Sequence, residues 1–390
     1  MKYILLSVLL FAATARAEVI KIVSSLPRTG SANAQSQSIV YGIKMAIEEV
    51  GGKIGDYTIA YEDWDDASPE RGQWDPAIEA ANAQKAVKDK DIMAYIGTYN
   101  SGAAKISMPV LNQAGLLMVS PANSYPGLTK PGMGEANEPA VYRPSGKVTY
   151  FRVVPADDIQ GDVAANFAKD TGVKKVFILH DRELYGKGVA DVFKRVAGKL
   201  GLEITGYEGI DVKAANYRSL VTKIKSTGAD LVYFGGTTQT GAGQIAKDLV
   251  SAGVKAKLMM PDGCREFALI DSAGADNLND RAYVTFGGVP ATELKGKGAE
   301  FYANYKKKFN AEPEAYAVYG YESGRVALEA IRRAGKKDRD AITDACRHIR
   351  DFEGALGKWS FDENGDTTLK VMMVETIHDG KFTPVKVVGQ

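Results

Sequence analysis

The chain alternates short β-branched runs with stretches of helical period, and that rhythm stops once near its middle and then starts again. Val19 to Val23 reads as a strand. From Gln37 to Val50, Ile39, Val40, Ile43, Ala46, Ile47 and Val50 fall on one helical face. Strands at Tyr57 to Tyr61, Ile92 to Ile96 and Leu116 to Val119, with helices at Ala77 to Val87 and Ala103 to Ala114, complete a first series. Strands separated by helices at this spacing predict a parallel sheet covered on both faces. Residues 130–148 are rich in proline and glycine and have no apolar period, so they read as a long surface excursion. The second series has strands at Tyr150 to Val154, Val176 to His180, Glu203 to Tyr207, Leu231 to Phe234 and Lys257 to Met260. Its helices are Ile159 to Lys169, Val189 to Leu200, Tyr217 to Lys225 and Ala242 to Val250. The last third is mostly helical (293–309, 315–333, 340–349) and ends in strand-like pieces at Leu369 to Val374. Two α/β lobes, each with its own sheet, are the expectation.

Residues 1–17 read as a signal peptide. Lys2 supplies the charge, Ile4 to Ala13 the apolar core, and Ala15-Arg16-Ala17 the small-x-small cleavage site. An apolar core of about ten residues is too short for a bilayer of roughly 30 Å. No cysteine follows that core, so lipid attachment is not expected and the mature chain should be an exported, periplasmic protein. It would keep 373 residues with 47 basic against 48 acidic side chains. That balance argues against a nucleic-acid or anionic-membrane partner, and the length favours two domains. Cys264 and Cys346 have neither metal nor redox spacing and are expected as unpaired thiols.

Two loops rich in hydroxyls follow neighbouring strands of the first series, Ile96 to Gly102 and Ser120 to Thr129. In open α/β sheets, small ligands bind at this carboxyl edge. Ser101 opens a helix, where a hydroxyl and free N–H groups attract negative charge, or where it simply caps. Ser124 completes a carboxylate cradle or folds its own turn. In the second series Tyr185, Thr237, Thr238 and Asp262 occupy strand ends. Singly each is ordinary turn chemistry. Together they place hydroxyls on one series and a carboxylate on the other, the polarity a zwitterion needs. The three histidines, His180, His348 and His378, lie in no metal or catalytic motif, and no nucleophile elbow or P-loop appears. Asp362 to Asp366 reads as a hairpin turn, since Thr367 stands where a calcium loop needs glycine. No enzyme, cofactor or metal is expected.

The blocks Val40-Tyr41-Gly42-Ile43-Lys44-Met45-Ala46, Leu117-Met118-Val119-Ser120-Pro121-Ala122, His180-Asp181 with Tyr185-Gly186, Tyr233-Phe234-Gly235-Gly236 and Pro261-Asp262-Gly263 carry a resemblance. The chain resembles the periplasmic solute-binding proteins of ABC transporters for branched-chain amino acids, over residues 19–385. That resemblance implies the type I periplasmic binding protein fold: two Rossmann-like lobes with parallel-rich sheets, joined by a three-crossing hinge. One lobe would combine 18–153 with 287–355, the other 154–286 with 356–390. It implies α-carboxylate contacts from Ser101 and Ser124 with backbone help near Ala122 and Asn123. Further contacts would come from Tyr185 and from Thr237 or Thr238, and Asp262 would take the α-ammonium. The implied partners are a small amino acid or related carboxylate and a membrane permease, with the binding protein a monomer. The same clamp could instead serve a signalling receptor or hold an amide or aromatic acid. Departures are the missing first-lobe disulfide, whose positions fall at about Ser68 and Asn100, and the lack of a bulky aromatic near Thr237. The 134–148 insertion and the stretch from Trp64 to Trp74 are long for the pattern. Tyr99, Tyr125, Phe286 and Tyr321 are further candidate pocket walls.

Overall fold

The computed structural model describes residues 18–290 and 293–389; the signal peptide expected at 1–17 lies outside the described residues. The first series runs β1 (Glu18–Leu26), α1 (Asn33–Glu49), β2 (Lys53–Ile54), β3 (Tyr57–Asp65), β4 (Ala67–Ser68), β5 (Gln73–Trp74), α2 (Pro76–Lys88), β6 (Ile92–Gly97), α3 (Ser101–Gln113), β7 (Leu117–Ser120) and β8 (Tyr150–Arg152). The second runs α4 (Asp157–Asp170), β9 (Lys175–His180), α5 (Leu184–Lys199), β10 (Glu203–Gly209), α6 (Arg218–Thr227), β11 (Leu231–Gly235), α7 (Ala242–Ser251), β12 (Lys257–Met260), α8 (Phe267–Ala273) and β13 (Ala282–Gly287). Then follow α9 (Lys297–Phe309), α10 (Ala317–Ala334), α11 (Arg339–Arg347), β14 (Phe352–Gly354), β15 (Gly357–Trp359), β16 (Met372–His378) and β17 (Lys381–Val388).

Two large sheets result. The first has the order β2-β3-β1-β6-β7-β8 and the second β10-β9-β11-β12-β13-β16-β17. β1, β3, β6, β7 and β8 are mutually parallel, as are β9 to β13. Both sheets are buried on both faces, so successive strand residues enter different cores. Ile22, Ile96 and Val119 pack on one side of the first sheet, and Val23, Tyr95 and Met118 on the other. In the second sheet Val232 and Phe234 face away from Leu231 and Tyr233 in the same manner. This is the two-lobed, parallel-rich α/β architecture that the sequence predicts.

Four elements differ from expectation. The strand at Tyr150, read as opening the second series, is instead β8, paired in parallel with β7 at the edge of the first sheet. β13 joins the second sheet where no strand was read, and the chain ends in an antiparallel hairpin, β16 with β17. Asp379 and Gly380 make its tight turn with φ of 48° and 68°, the left-handed pair such hairpins require. Pro384 obscures β17 in the sequence, but it sits on an edge strand where its missing N–H is harmless. The 130–148 excursion is not merely superficial: Glu138 and Tyr142 are buried, and Glu138 accepts hydrogen bonds from Tyr125 (2.9 Å) and Tyr142. Cys264 and Cys346 are unpaired and lie in separate cores.

Helix α10 belongs to the first sheet because α1 accepts it at close range. A β-carbon on Gly42 would lie 2.2 Å from the Ala317 carbonyl, and one on Gly320 2.3 Å from that of Ile39. Only glycine allows this approach, and it fixes the start of α10 beside the sheet's carboxyl edge.

Buried acids make stability pH-dependent. Glu79 is fully buried, accepting from Ser25 Oγ (2.5 Å) and Tyr95 (2.8 Å), and burial pushes its carboxyl up to about 7. Its neighbour Asp66 is likewise raised by burial and by the Glu79 charge, and Asp181 is raised to about 7 by burial. Raised acid pKa values mean the folded chain holds protons that the unfolded chain releases. The stability this gives is fully present below about pH 4, where the unfolded carboxyls are also protonated, and is lost as pH rises through about 7. Chemical denaturation should therefore show stability falling by roughly 1–3 kcal/mol between pH 5 and pH 8. Glu79→Gln should flatten the slope; a slope identical to wild type would remove Glu79 as its source.

Candidate ligand-binding cleft

The carboxyl ends of the two sheets face one another, and the residues between them form one site. β6 ends in a loop that delivers Tyr99 and Asn100, then α3 opens on Ser101. β7 ends in the loop Pro121 to Tyr125. The two loops are tied by Asn123, whose side-chain amide donates to the carbonyls of Thr98 (2.9 Å) and Tyr99 (3.1 Å). The N–H groups of Ala122 (3.2 Å) and Asn123 (2.9 Å) donate to Ser120 Oγ, and the Tyr125 N–H donates to Ser101 Oγ (3.3 Å). Beneath this loop Arg152 is fully buried. Its guanidinium donates to the Tyr125 carbonyl (2.8 Å), Thr129 Oγ1 (2.5 Å) and Asp366 (2.7 Å). Burial alone would raise Asp366, but the Arg152 charge and hydrogen bond, with the Lys130 charge and the Thr129 hydroxyl, together outweigh it and hold the carboxyl below its ordinary value. Asp362 to Asp366 is indeed a turn, with Asp362 Oδ1 accepting the N–H groups of Asn364 and Asp366 (both 2.9 Å).

From the second sheet come Tyr185 at the start of α5, Thr237 and Thr238 after β11, and Asp262 after β12. Asp262 is 5 % exposed. Tyr185 donates to one of its oxygens and Tyr316, just before α10, to the other (2.5 Å). Tyr316 thus reaches across from the first-sheet side. Burial raises the Asp262 pKa, against the lowering effect of the two phenols. Asp157, at the start of α4, is wholly buried with neither oxygen hydrogen-bonded. Burial and then the Asp262 charge push it well above an ordinary carboxyl.

Tyr99, Ser101, Ala122, Tyr185, Thr237 and Tyr316 surround a single small cavity, with Gly263 on its floor. A β-carbon on Gly263 would come within 3.0 Å of both the Thr237 methyl and the Tyr185 ring. Of the residues singled out from sequence, Ser101, Ala122, Tyr185 and Thr237 line the cavity, and Asp262 joins it through Tyr185 and Tyr316. Ser124 Oγ is buried without a partner, and its carbonyl accepts the Asp157 N–H (2.9 Å). Thr238 Oγ1 is likewise unpartnered. Asn123 lies behind the wall, its side chain engaged by the two loops. Among the aromatic candidates Tyr99 lines the cavity, whereas Tyr321 stacks on Phe301 and donates to Glu49 (2.5 Å) elsewhere. Phe286 packs behind Tyr316. Sequence reasoning missed Tyr316 and Asp157. Asp157 had a signal, an acid opening a helix just past a strand; Tyr316 comes from the C-terminal helices, where no strand end points to it.

Of the buried polar atoms without a close partner, Tyr99 OH lines the cavity, while Ser124 Oγ faces the Asp157 carboxyl and Thr238 Oγ1 that of Glu266. Native proteins rarely leave such groups unsatisfied, at about 1–3 kcal/mol each. A polar molecule in the cleft would relieve Tyr99. A roomier hollow, about 430 Å³, lies behind Phe286 and Tyr319, away from Ser101 and Asp262. Its ions, the part-buried Arg265 and the buried Glu375, already pair at 2.8 and 3.1 Å.

Two sheet edges with a small cavity between them are the layout of a two-lobed solute-binding protein. The chain belongs to the periplasmic binding protein family, whose model matches residues 19–381. It is 30% identical over 391 residues to a Leu/Ile/Val-binding protein homolog 1 of Brucella abortus, covering 98% of this chain and 97% of that one. The leucine binding protein LivK of Thermotoga maritima superposes with a TM-score of 0.83 at 25% identity, over 95% of this chain and 99% of that one. LivJ of Streptococcus pneumoniae, in complex with isoleucine, gives a TM-score of 0.82 at 25% identity over 95% and 100%. The family is one of solute-binding proteins rather than enzymes.

Proposed function

We propose that this chain is exported by its 1–17 leader, holds a small α-amino acid between its lobes, and presents the closed form to an ABC transporter permease. The relatives that bind leucine and isoleucine support the ligand class. The observation that carries the reading is the placement of Asp262. A buried carboxylate held by two phenols and the Gly263 N–H (3.1 Å), all neutral, lacks a counter-charge, and an α-ammonium supplies one. On the facing side Ser101, Ser124 and the opening turn of α3 form a donor-rich wall suited to an α-carboxylate. Ala122 and Thr237 close the space around the α-carbon, Thr238 lies beyond them, and Asn123 holds the two loops in register. Lobes composed of 18–153 with 287–355, and of 154–286 with 356–390, would hinge where the chain crosses between the sheets. The ligand then acts by binding the closed form better than the open one. No nucleic acid, metal or cofactor enters this scheme, and a monomer suffices.

Titration calorimetry with a panel of α-amino acids and their decarboxylated amines tests it. The amino acids should bind and the amines should not. Ser101→Ala should cost about 1–3 kcal/mol of affinity, because one carboxylate oxygen loses its donor. Amines binding as tightly as amino acids would remove the carboxylate cradle.

A further inference from the structure

The 130–148 excursion is built around a buried carboxylate that grips one aromatic ring. Glu138 is 6 % exposed and accepts from Tyr125 (2.9 Å), Tyr142, the Glu135 N–H (2.9 Å) and Lys105 Nζ of α3 (3.2 Å). Burial alone would raise it, but these donors together hold it below its ordinary value. The ring it grips meets the other half of the molecule. A β-carbon on Gly188 in α5 would lie 2.6 Å from the Tyr125 ring, and one on Gly127 2.5 Å from another ring carbon. Leu184, one turn earlier in α5, packs on the cluster that contains Tyr125 and Tyr142. Helix α5 lies on strands of the second sheet, whereas Tyr125 follows β7 of the first, so these contacts join the two halves. Arg71 also reaches Glu183 at 3.8 Å, but both side chains are partly exposed and such pairs contribute little. The buried ring on glycine is the firmer tie.

Resting on the reading that ligand is held between the lobes, we propose that Glu138 is a positioning residue: it fixes the Tyr125 ring as a latch against Gly188 and Leu184 of α5, and the latch slows ligand release. A ring already held by its carboxylate loses little freedom when α5 closes on it. Gly188 has no side chain, so the helix backbone reaches the ring. The contact must break before ligand leaves, and the effect therefore falls on dissociation rather than association.

Stopped-flow mixing of the mature chain with leucine, alanine, phenylalanine and asparagine separates the two rates. Trp74, which shares a crevice with Ser101 and Leu184, is the fluorescent reporter. Tyr125→Phe deletes the hydroxyl held by Glu138 but keeps the N–H that bonds Ser101. It and Glu138→Gln should each speed dissociation about 3- to 10-fold, with association within about twofold of wild type. Gly188→Ala drives a methyl into the ring and should speed dissociation about tenfold or more. Tyr125→Phe with Gly188→Ala should release ligand about as fast as Gly188→Ala alone, because both break one contact. Should Gly188→Ala fold poorly, Tyr125→Phe and Glu138→Gln carry the test. Wild-type dissociation in the variants overturns the proposal. So does slower association with dissociation unchanged, which would assign Tyr125 to the carboxylate wall, and so do multiplying effects in the double variant. If none of the four amino acids binds wild type, the amino-acid reading itself has failed and this proposal falls with it.

Discussion

Replacing Asp262 with alanine is expected to weaken amino-acid binding by about 2–5 kcal/mol, the cost of removing one partner from a desolvated charge pair. The size follows from the surroundings. Asp262 is 5 % exposed, and its two oxygens face Tyr185 from its own side and Tyr316 from the other. Neither phenol carries charge, so the carboxylate's electrostatic demand is met only when an ammonium arrives. Asp157 sharpens the effect, because a second buried acid raises the local negative potential and favours protonation of the pair. Binding an ammonium should then expel a proton, and affinity should fall as pH is lowered. Calorimetry in two buffers of different ionisation enthalpy reads the proton directly. Unchanged affinity in Asp262→Ala, together with no proton release by wild type, would place the ammonium elsewhere.

Arg152→Ala should destabilise the fold by roughly 3–5 kcal/mol, since it strands a buried carboxylate rather than deleting a surface ion pair. In thermal melts this amounts to a drop on the order of 10 °C. Asp366, at 4 % exposure, would lose the charge that keeps it ionised, and the Tyr125 carbonyl and Thr129 hydroxyl would lose their donor. The damage would also reach the cleft. The Tyr125 N–H donates to Ser101 Oγ, so loosening Tyr125 loosens the hydroxyl proposed to hold the carboxylate. Weaker binding should therefore accompany the lower melting point. A variant that melts within about 2 °C of wild type would show that the Arg152 and Asp366 charges are solvated in solution.

The strands and helices of both series were legible because a doubly covered parallel sheet writes near-continuous apolar runs, as in Ile92 to Ile96 and Leu231 to Phe234. The loops at their ends were legible for the same reason: glycine, serine and proline mark where a run stops. β13 was missed because Tyr283 and Thr285 break Ala282–Gly287 into alternating residues rather than the continuous apolar run that marked the others. The closing hairpin was missed because its strands obey antiparallel pairing and an interrupting Pro384. In the cleft, Ser101 and Asp262 each declared themselves by position after a strand. Tyr316 did not, because what brings it to Asp262 is the close packing of α10 on α1 through Gly42 and Gly320. Long-range packing of that kind leaves no local pattern.

The Tyr316 hydroxyl bonded to Asp262 has a kinetic meaning. It fastens the two halves together through a neutral donor that any incoming cation must compete with, so the empty clamp has a mild reason to shut by itself. Exchanging that hydroxyl for hydrogen, as in Tyr316→Phe, would shift the resting ensemble toward gaping forms, quickening capture while shortening the lifetime of the loaded state.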